Sequence, residues 1–123
     1  MRILLVVHAL PHDKVTLQFG AQIARQTGGE ITVLAVTNNA RDRSRVEPSL
    51  DGAREILAET GHLETKVRPG SLVHEIVREA EEGSYDLIVV GEPWHGARLG
   101  RLRPGGDSVH LVESAPCSVL IVK

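Results

Sequence analysis

The sequence predicts an α/β fold in which a parallel β-sheet is covered by helices on both faces. Short apolar runs alternate along the chain with segments that have the apolar spacing of helices. Most of these runs lack polar alternation, as expected for strands buried on both faces. Aromatic residues make up only 2% of the 123 residues, so the core must consist mainly of valine, leucine, isoleucine and alanine.

Five strands are expected. Three runs are continuously apolar and one is nearly so: ILLVV at 3–7, LIVV at 87–90, VLIV at 119–122 and ITVLAV at 31–36. The run LETKVR at 63–68 alternates, which predicts an edge strand. Strands that alternate with helices form parallel sheets with right-handed crossovers, and such sheets bind ligands where the strand order reverses. The loops after the first and fourth strands are therefore the candidate ligand loops.

Two helices are expected in the first half of the chain. The first ends at the glycine pair 28–29 and is predicted by an apolar stripe that comprises Leu17, Phe19, Gly20, Ala21, Ile23 and Ala24. The second is predicted by Leu50, Ala53 and Leu57 and stops at Gly61. Between the second and third strands, the segment TNNARDRSRVEPSL contains the charged run RDRSR, which is interpreted as a flexible, solvated loop.

Two further helices are expected in the second half. One has Ser71 as its N-cap and Arg78 and the acidic residues on its solvent side; its apolar positions are Leu72, Val73, Ile76, Val77 and Ala80. The other is short, is predicted by Val109, Val112 and Ala115, and ends before Pro116.

Charge and composition narrow the classes of function. The net charge is −2 and no basic face is visible, which argues against nucleic-acid binding. The single cysteine, Cys117, excludes an internal disulfide and is compatible with a reducing compartment, so a cytoplasmic location is expected. The apolar run near the start is too short to cross a membrane, and no membrane association is expected.

The segment PGGDSV, where the last helix begins, is the main candidate for an anion site. Helix N-termini favour anions, and Gly105 and Gly106 allow the backbone to approach a ligand closely. Ser108 adds a hydroxyl, and positive charge is available nearby from Arg98, Arg101 and Arg103. The alternative is a simple turn in which Asp107 or Ser108 caps the helix. The carboxylate of Asp107 also opposes a bound anion.

Other chemistries find less support in the sequence. His8, His12 and Asp13 follow the first strand, and together with His95 of the other loop they are the candidates for a metal site. Their spacing matches no tight metal motif, so no metal site is predicted. The chain contains neither a Gly-x-Ser-x-Gly elbow nor a Walker-type Gly-Lys-Ser/Thr sequence.

The chain resembles the universal stress protein family over essentially its whole length, as one domain of residues 1–123. The matching segments are RILLVV, GGEITVLAV, YDLIVVG and SAPCSVLIVK, of which the last two are the more specific. The resemblance implies the fold of the adenine nucleotide alpha hydrolase-like proteins, a five-stranded parallel sheet in the order 3-2-1-4-5. It also implies a homodimer, here through residues 118–122. One branch of this family binds ATP, and the other acts through regulation or partner contacts without it.

The ATP-binding branch carries the pattern Gly-x2-Gly-x9-Gly-Ser/Thr after the fourth strand. Gly91 and Gly105 match its first and third glycines if one residue is inserted in the loop between them, and Gly96 is the best candidate for the second. Gly106 replaces the phosphate-binding Ser or Thr, whereas Ser108 falls on a later position that also reaches the phosphates.

The resemblance also identifies positions around the adenosine. His8 stands where that branch has an acidic residue, and Val36 and Val90 match positions that pack on the adenine. Three hypotheses follow. The first is a regulatory domain that binds ATP, with or without Mg²⁺; the second is a dimeric interaction module without nucleotide. The third is a slow ATPase, for which no general base with clear geometry is visible.

Overall fold

A computed structural model of the chain describes residues 1–7, 13–91 and 106–123, with the side chains of all of these except residues 40 and 106–108. Its strands are β1 (Arg2–Val7), β2 (Glu30–Thr37), β3 (Leu63–Pro69), β4 (Leu87–Gly91) and β5 (Ser118–Val122). Its helices are α1 (Asp13–Thr27), α2 (Arg43–Ile56), α3 (Leu72–Gly83) and α4 (Gly106–Ser114). A short 3-10 helix, Ala40–Asp42, precedes α2.

The five strands form one sheet in the order β3-β2-β1-β4-β5, and each neighbouring pair is parallel. The predicted fold class and strand order are confirmed. Ile3 of β1 lies beside Ile31 of β2 on one side and beside Leu87 of β4 on the other. The alternating strand β3 lies at one edge, as expected, and β5 lies at the other.

Two hydrophobic clusters cover the two faces of the sheet, because successive side chains of a strand point to opposite faces. In β1, Ile3 and Leu5 belong to the first cluster, which packs under α1 and α2. Leu4 and Val6 belong to the second, which packs under α3 and α4. All four side chains are fully buried, so β1 is the centre of the core.

The charged segment before α2 differs from the prediction of a flexible loop. It forms the 3-10 helix and then the first two turns of α2, which begins at Arg43 and has Pro48 in its interior. Val46 and Leu50 are one turn apart and buried on the same face. Their burial offsets the backbone hydrogen bond that Pro48 cannot make. Arg43 also pairs with Glu47 across one turn, at 3.5 Å.

Three apolar residues that predicted buried helix faces are exposed instead. Phe19 is 44% exposed on α1, and Val109 and Val112 are 48% and 52% exposed on α4. The sheet contact of α4 is made by Leu111, which is fully buried in the second cluster. Among the described residues, no helix is long and apolar enough to cross a membrane.

Candidate functional site

The strand order reverses between β1 and β4, because β2 and β3 lie on one side of this pair and β5 lies on the other. Leu5 of β1 lies beside Val89 of β4, so the two strands end at the same edge of the sheet. Ligands of open parallel sheets bind outside the carboxyl ends of the strands at such a point. We call the edge formed by Val7, Val36, Val90 and Gly91 the switch-point edge.

Val36 and Val90 lie on the same face of the sheet at this edge. Val90 is fully buried in the second cluster, and Val36 packs against that cluster but is only half-buried. The strand β1 separates them, since β2 and β4 both pair with it. The exposed part of Val36 therefore presents an apolar surface at the carboxyl end of β2, on the side of the sheet covered by α3 and α4.

Gly91 and the start of α4 mark the two ends of the predicted ligand loop. Gly91 is the last residue of β4, is buried, and lies beside Val122 of β5. The helix α4 begins at Gly106, after β4 has ended, and returns the chain to the start of the parallel strand β5. The N-terminus of α4 therefore lies at the carboxyl side of the sheet. The free N–H groups and the positive end of its dipole favour an anion there.

Several predicted site residues fall outside this description. His8, Gly96 and Gly105 lie outside the described residues, as do His12 and His95. Gly106, Asp107 and Ser108 form the first three residues of α4, but the side chains of Asp107 and Ser108 are not among those described. Of the predicted set, Val36, Val90 and Gly91 are thus located in full at the switch-point edge.

The carboxyl ends of β2 and β3 are tied together beside this edge. The N–H of Gly70 donates to the carbonyl of Thr37 at 2.8 Å, and the hydroxyl of Thr37 donates to the carbonyl of Asn39 at 2.9 Å. Gly70 has a φ of 145°, and a Cβ there would lie 2.7 Å from the side chain of Glu75. Only glycine fits this position without strain. The turn therefore holds the end of β2, and with it Val36, in a fixed place.

A polar cluster that the sequence did not indicate joins β3 to α3. It consists of Lys66, Arg68, Glu75, Glu79, Glu82 and Tyr85. Arg68 donates to Glu75 and to Glu79, both at 2.9 Å. Lys66 and the hydroxyl of Tyr85 both donate to the other oxygen of Glu79, again at 2.9 Å. Glu79 therefore accepts three hydrogen bonds on two oxygens.

The charge of Glu79 is stabilised although the residue is buried. Burial alone would raise the pKa of Glu79, but the hydrogen bonds from Lys66, Tyr85 and Arg68 outweigh it and lower that pKa below its ordinary value. The hydrogen bond to Glu75 is the main cause that raises the pKa of Arg68. Both pKa shifts favour the charged forms of Arg68 and Glu79. These ion pairs therefore stabilise the fold and do not supply a general acid or base.

The expectation that the acidic residues of α3 face solvent is therefore wrong for two of them. Glu75 and Glu79 are buried, and only Glu82 of the three in the cluster is exposed. The predicted N-cap, Ser71, does precede α3 with an extended backbone, but its side chain makes no capping hydrogen bond. The sequence signal for these buried carboxylates is the alternation of Lys66 and Arg68 in β3, because both side chains must point to the face of the sheet that α3 covers.

Comparison with known proteins agrees with this architecture. The model of the universal stress protein family matches residues 1–123. The structure of universal stress protein UspA from Lactobacillus plantarum is 20% identical in sequence and has a TM-score of 0.82. The match covers 100% of this chain and 97% of the UspA chain. No curated protein sequence was found to match.

Two similar structures hold nucleotides. A universal stress protein from Archaeoglobus fulgidus in complex with dAMP is 20% identical with a TM-score of 0.81, covering 100% of this chain and 98% of its own. A universal stress protein in complex with cAMP is 19% identical with a TM-score of 0.76, covering 100% of this chain and 96% of its own. Because the family model matches every residue and the strand order is the one that the resemblance implies, this chain belongs to the universal stress protein family.

Proposed function

We propose that this chain is a regulatory domain that binds an adenine nucleotide, ATP in the first instance, at the switch-point edge. The adenine lies against Val36 and the Val90–Gly91 end of β4. The phosphates lie at the N-terminus of α4, on the backbone N–H groups of Gly105 to Ser108. The observation that carries the proposal is the position of this N-terminus, which begins the helix at the carboxyl side of the sheet after β4 has ended at Gly91.

The apolar end of the site is supported by the partial exposure of Val36. Val36 leaves part of its side chain open on the face where Val90 is fully buried. A flat base placed there covers apolar surface that water otherwise contacts, which contributes about 25 cal/mol for each Å² removed from water. The dAMP and cAMP complexes of related folds make an adenine nucleotide the first ligand to test.

The phosphate end relies on backbone groups rather than on particular side chains. Gly106 replaces a hydroxyl residue of the ATP-binding pattern, but backbone N–H groups at a helix N-terminus still favour an anion. Ser108 supplies a hydroxyl two residues later, and Asp107 places an opposing charge between them. His8 replaces the acidic residue near the adenosine. We therefore expect weaker selection of the sugar and base than of the phosphates.

A second candidate function, a dimeric interaction module, is favoured by the surface at β5. Among the described residues, this strand has no partner on its outer side, and Val119, Leu120 and Ile121 are only half-buried. On α4, His110 lines a groove shared with α3. Val112 is about 200° further around the helix, so it faces away from α3 and toward the β5 edge.

This apolar surface suits a second copy of the chain. A bare apolar edge strand tends to be paired, and antiparallel pairing of two β5 strands would extend the sheet across both subunits. The exposed Val112 would widen the contact beyond the strand. The dimer is compatible with nucleotide binding. The two candidates therefore differ in whether the domain binds a nucleotide, not in how its subunits pair.

Calorimetric titration of ATP, with and without Mg²⁺, into protein stripped of nucleotide tests the proposal. We expect binding in the micromolar range that is lost in Gly105→Asp and in Val36→Asp and weakened in Ser108→Ala. Phe19→Asp is the control, because Phe19 is exposed on α1 more than one turn beyond the loop after β1, and its charge should leave binding unchanged. Absence of heat and of competition at millimolar ATP would leave the dimeric module as the function.

A further inference from the structure

A groove between α3 and α4 has a lining that none of the preceding functions uses. Its volume is about 360 Å³, which lies within the range of roughly 300–1,000 Å³ typical of small-molecule sites. Val36, Val90 and Gly91, the predicted nucleotide-binding residues that the structure describes in full, do not line it. The lining residues are Ser71, Leu72, Val73, His74, Val77, His110 and Ser114.

Two histidines and two serines give the groove hydrogen-bond donors from both helices. His74 lies on α3 and His110 on α4, and both side chains are exposed. An imidazole donates at least one N–H in either charge state, and each serine hydroxyl donates one O–H. The hydroxyl of Ser71 makes no capping bond with α3. Four donors around one space match the several acceptor oxygens of a phosphate better than the two oxygens of a carboxylate.

Charge also favours an anion over a cation. None of the described lining residues is acidic. On α3, Glu75 and Glu79 are bound by Arg68 and Lys66 on the β3 side of the helix, away from α4. A zinc ion needs three or four ligands, and among the described residues no group of three such side chains exists. Two imidazoles without a carboxylate are therefore better suited to an anion than to a metal ion.

The wall of the groove is apolar. Val73 is buried, and Leu72 and Val77 are half-buried, so their remaining surface faces the space between the helices. A ligand that carries only a phosphate would leave this surface in contact with water. A short alkyl or aryl group beside the phosphate would cover it, with a gain of about 0.8 kcal/mol for each buried CH₂.

We propose that the groove between α3 and α4 binds a small phosphate monoester with an apolar substituent, through His74, His110, Ser71 and Ser114, at a site separate from the switch-point edge. The phosphate accepts hydrogen bonds from the imidazoles and hydroxyls. The substituent lies along Leu72 and Val77. The site adds a second ligand to the domain and does not depend on whether a nucleotide binds.

Butyl phosphate is the probe, and the ring resonances of the histidines are the readout. We expect the rings of His74 and His110 to shift together with one saturation curve, while the ring of His62, exposed before β3, stays unchanged. Inorganic phosphate, which lacks the apolar group, should bind several-fold more weakly. Butylammonium, which has the alkyl group and the opposite charge, should shift neither ring.

Variants decide whether the groove itself is responsible. The double variant of His74→Ala with His110→Ala should raise the dissociation constant for butyl phosphate about tenfold or more, whereas His62→Ala should leave it unchanged. All three positions are exposed, so the fold should survive, which circular dichroism checks. The proposal is overturned if neither ring shifts, if inorganic phosphate binds equally well, or if the double variant binds normally. Displacement of butyl phosphate by ATP would also overturn it, because the probe would then occupy the nucleotide site.

Discussion

The hydroxyl of Tyr85 donates a 2.9 Å hydrogen bond to Glu79, a carboxylate on α3 that is only 2% exposed. The same carboxylate accepts hydrogen bonds from Lys66 and Arg68 of β3. This edge strand therefore has polar contacts with α3 in addition to its backbone pairing with β2. The turn at Gly70, which orders the end of β2, directly follows the same strand.

Removal of the Glu79 carboxylate should destabilise the fold strongly. Glu79→Ala removes the acceptor of three hydrogen bonds, from Lys66, Arg68 and Tyr85, and we expect a loss of about 3 kcal/mol in the free energy of unfolding. Glu82→Ala is the matched control on the same helix, because Glu82 is 56% exposed and its pairs should contribute less than about 1 kcal/mol. Urea denaturation measures both. Equal losses in the two variants would mean that the buried cluster contributes no more than a surface ion pair.

Acid should weaken the protein through the same carboxylate. The folded state holds the pKa of Glu79 below its ordinary value of 4.5, so the unfolded chain binds this proton more readily. The stability from this group is fully present above the unfolded pKa and is lost as the pH falls through the folded one. We expect Glu79→Gln to show a smaller decrease in unfolding free energy than the parent between pH 7 and about pH 3. Parallel pH profiles of the two proteins would contradict the assignment.

Two helical glycines should respond in opposite directions to the same substitution. A Cβ at Gly20 of α1 would lie 2.5 Å from Cδ2 of Leu5, which is fully buried, so Gly20→Ala should cost about 1–3 kcal/mol. A Cβ at Gly52 of α2 meets nothing within 4 Å, so Gly52→Ala should stabilise by up to about 1 kcal/mol. Thermal unfolding compares them. A neutral Gly20→Ala would show that α1 can move away from the sheet.

The β5 edge should control assembly. Val112→Glu places a charge on the flank of α4 that faces this edge, and we expect the proposed dimer to dissociate to monomers in sedimentation velocity. Val15→Glu places the same charge on α1, where an apolar residue is 45% exposed, and should leave the dimer intact. A Val112→Glu protein that sediments as a dimer would exclude this surface as the contact.

The sheet was predictable because its signals are local. Runs such as ILLVV and LIVV report burial on both faces, and the resemblance to a known family supplied the strand order that periodicity alone leaves open. The burial of Glu75 and Glu79 was not predictable from α3 alone, because their partners Arg68 and Lys66 come from a different element.

Other errors have the same origin. Val112 has helical spacing but lies on the flank of α4 rather than on its sheet-facing side, since α4 is short and makes its buried contact through Leu111. The charges around Arg43 suggested a loop, although Val46 and Leu50 carry a helical stripe through that segment. At the candidate site, the positions of Val36, Val90 and Gly91 could be predicted because they lie at the ends of strands, which the apolar runs of the sequence mark well. The site positions between 92 and 105 were assigned from a glycine pattern whose length differs in this chain. Spacing alone therefore does not decide which glycine matches which position of the pattern.

The most direct test of nucleotide binding at the switch-point edge is an amide and methyl NMR titration of the isotope-labelled protein with ATP. The account predicts that the methyl groups of Val36 and Val90 and the amides of Gly91 and Gly106 shift together, with one saturation curve. The amides of the amino-terminal edge, such as that of Glu30, should stay unchanged. Shifts confined to other parts of the molecule, or none at millimolar ATP, would contradict the proposed site.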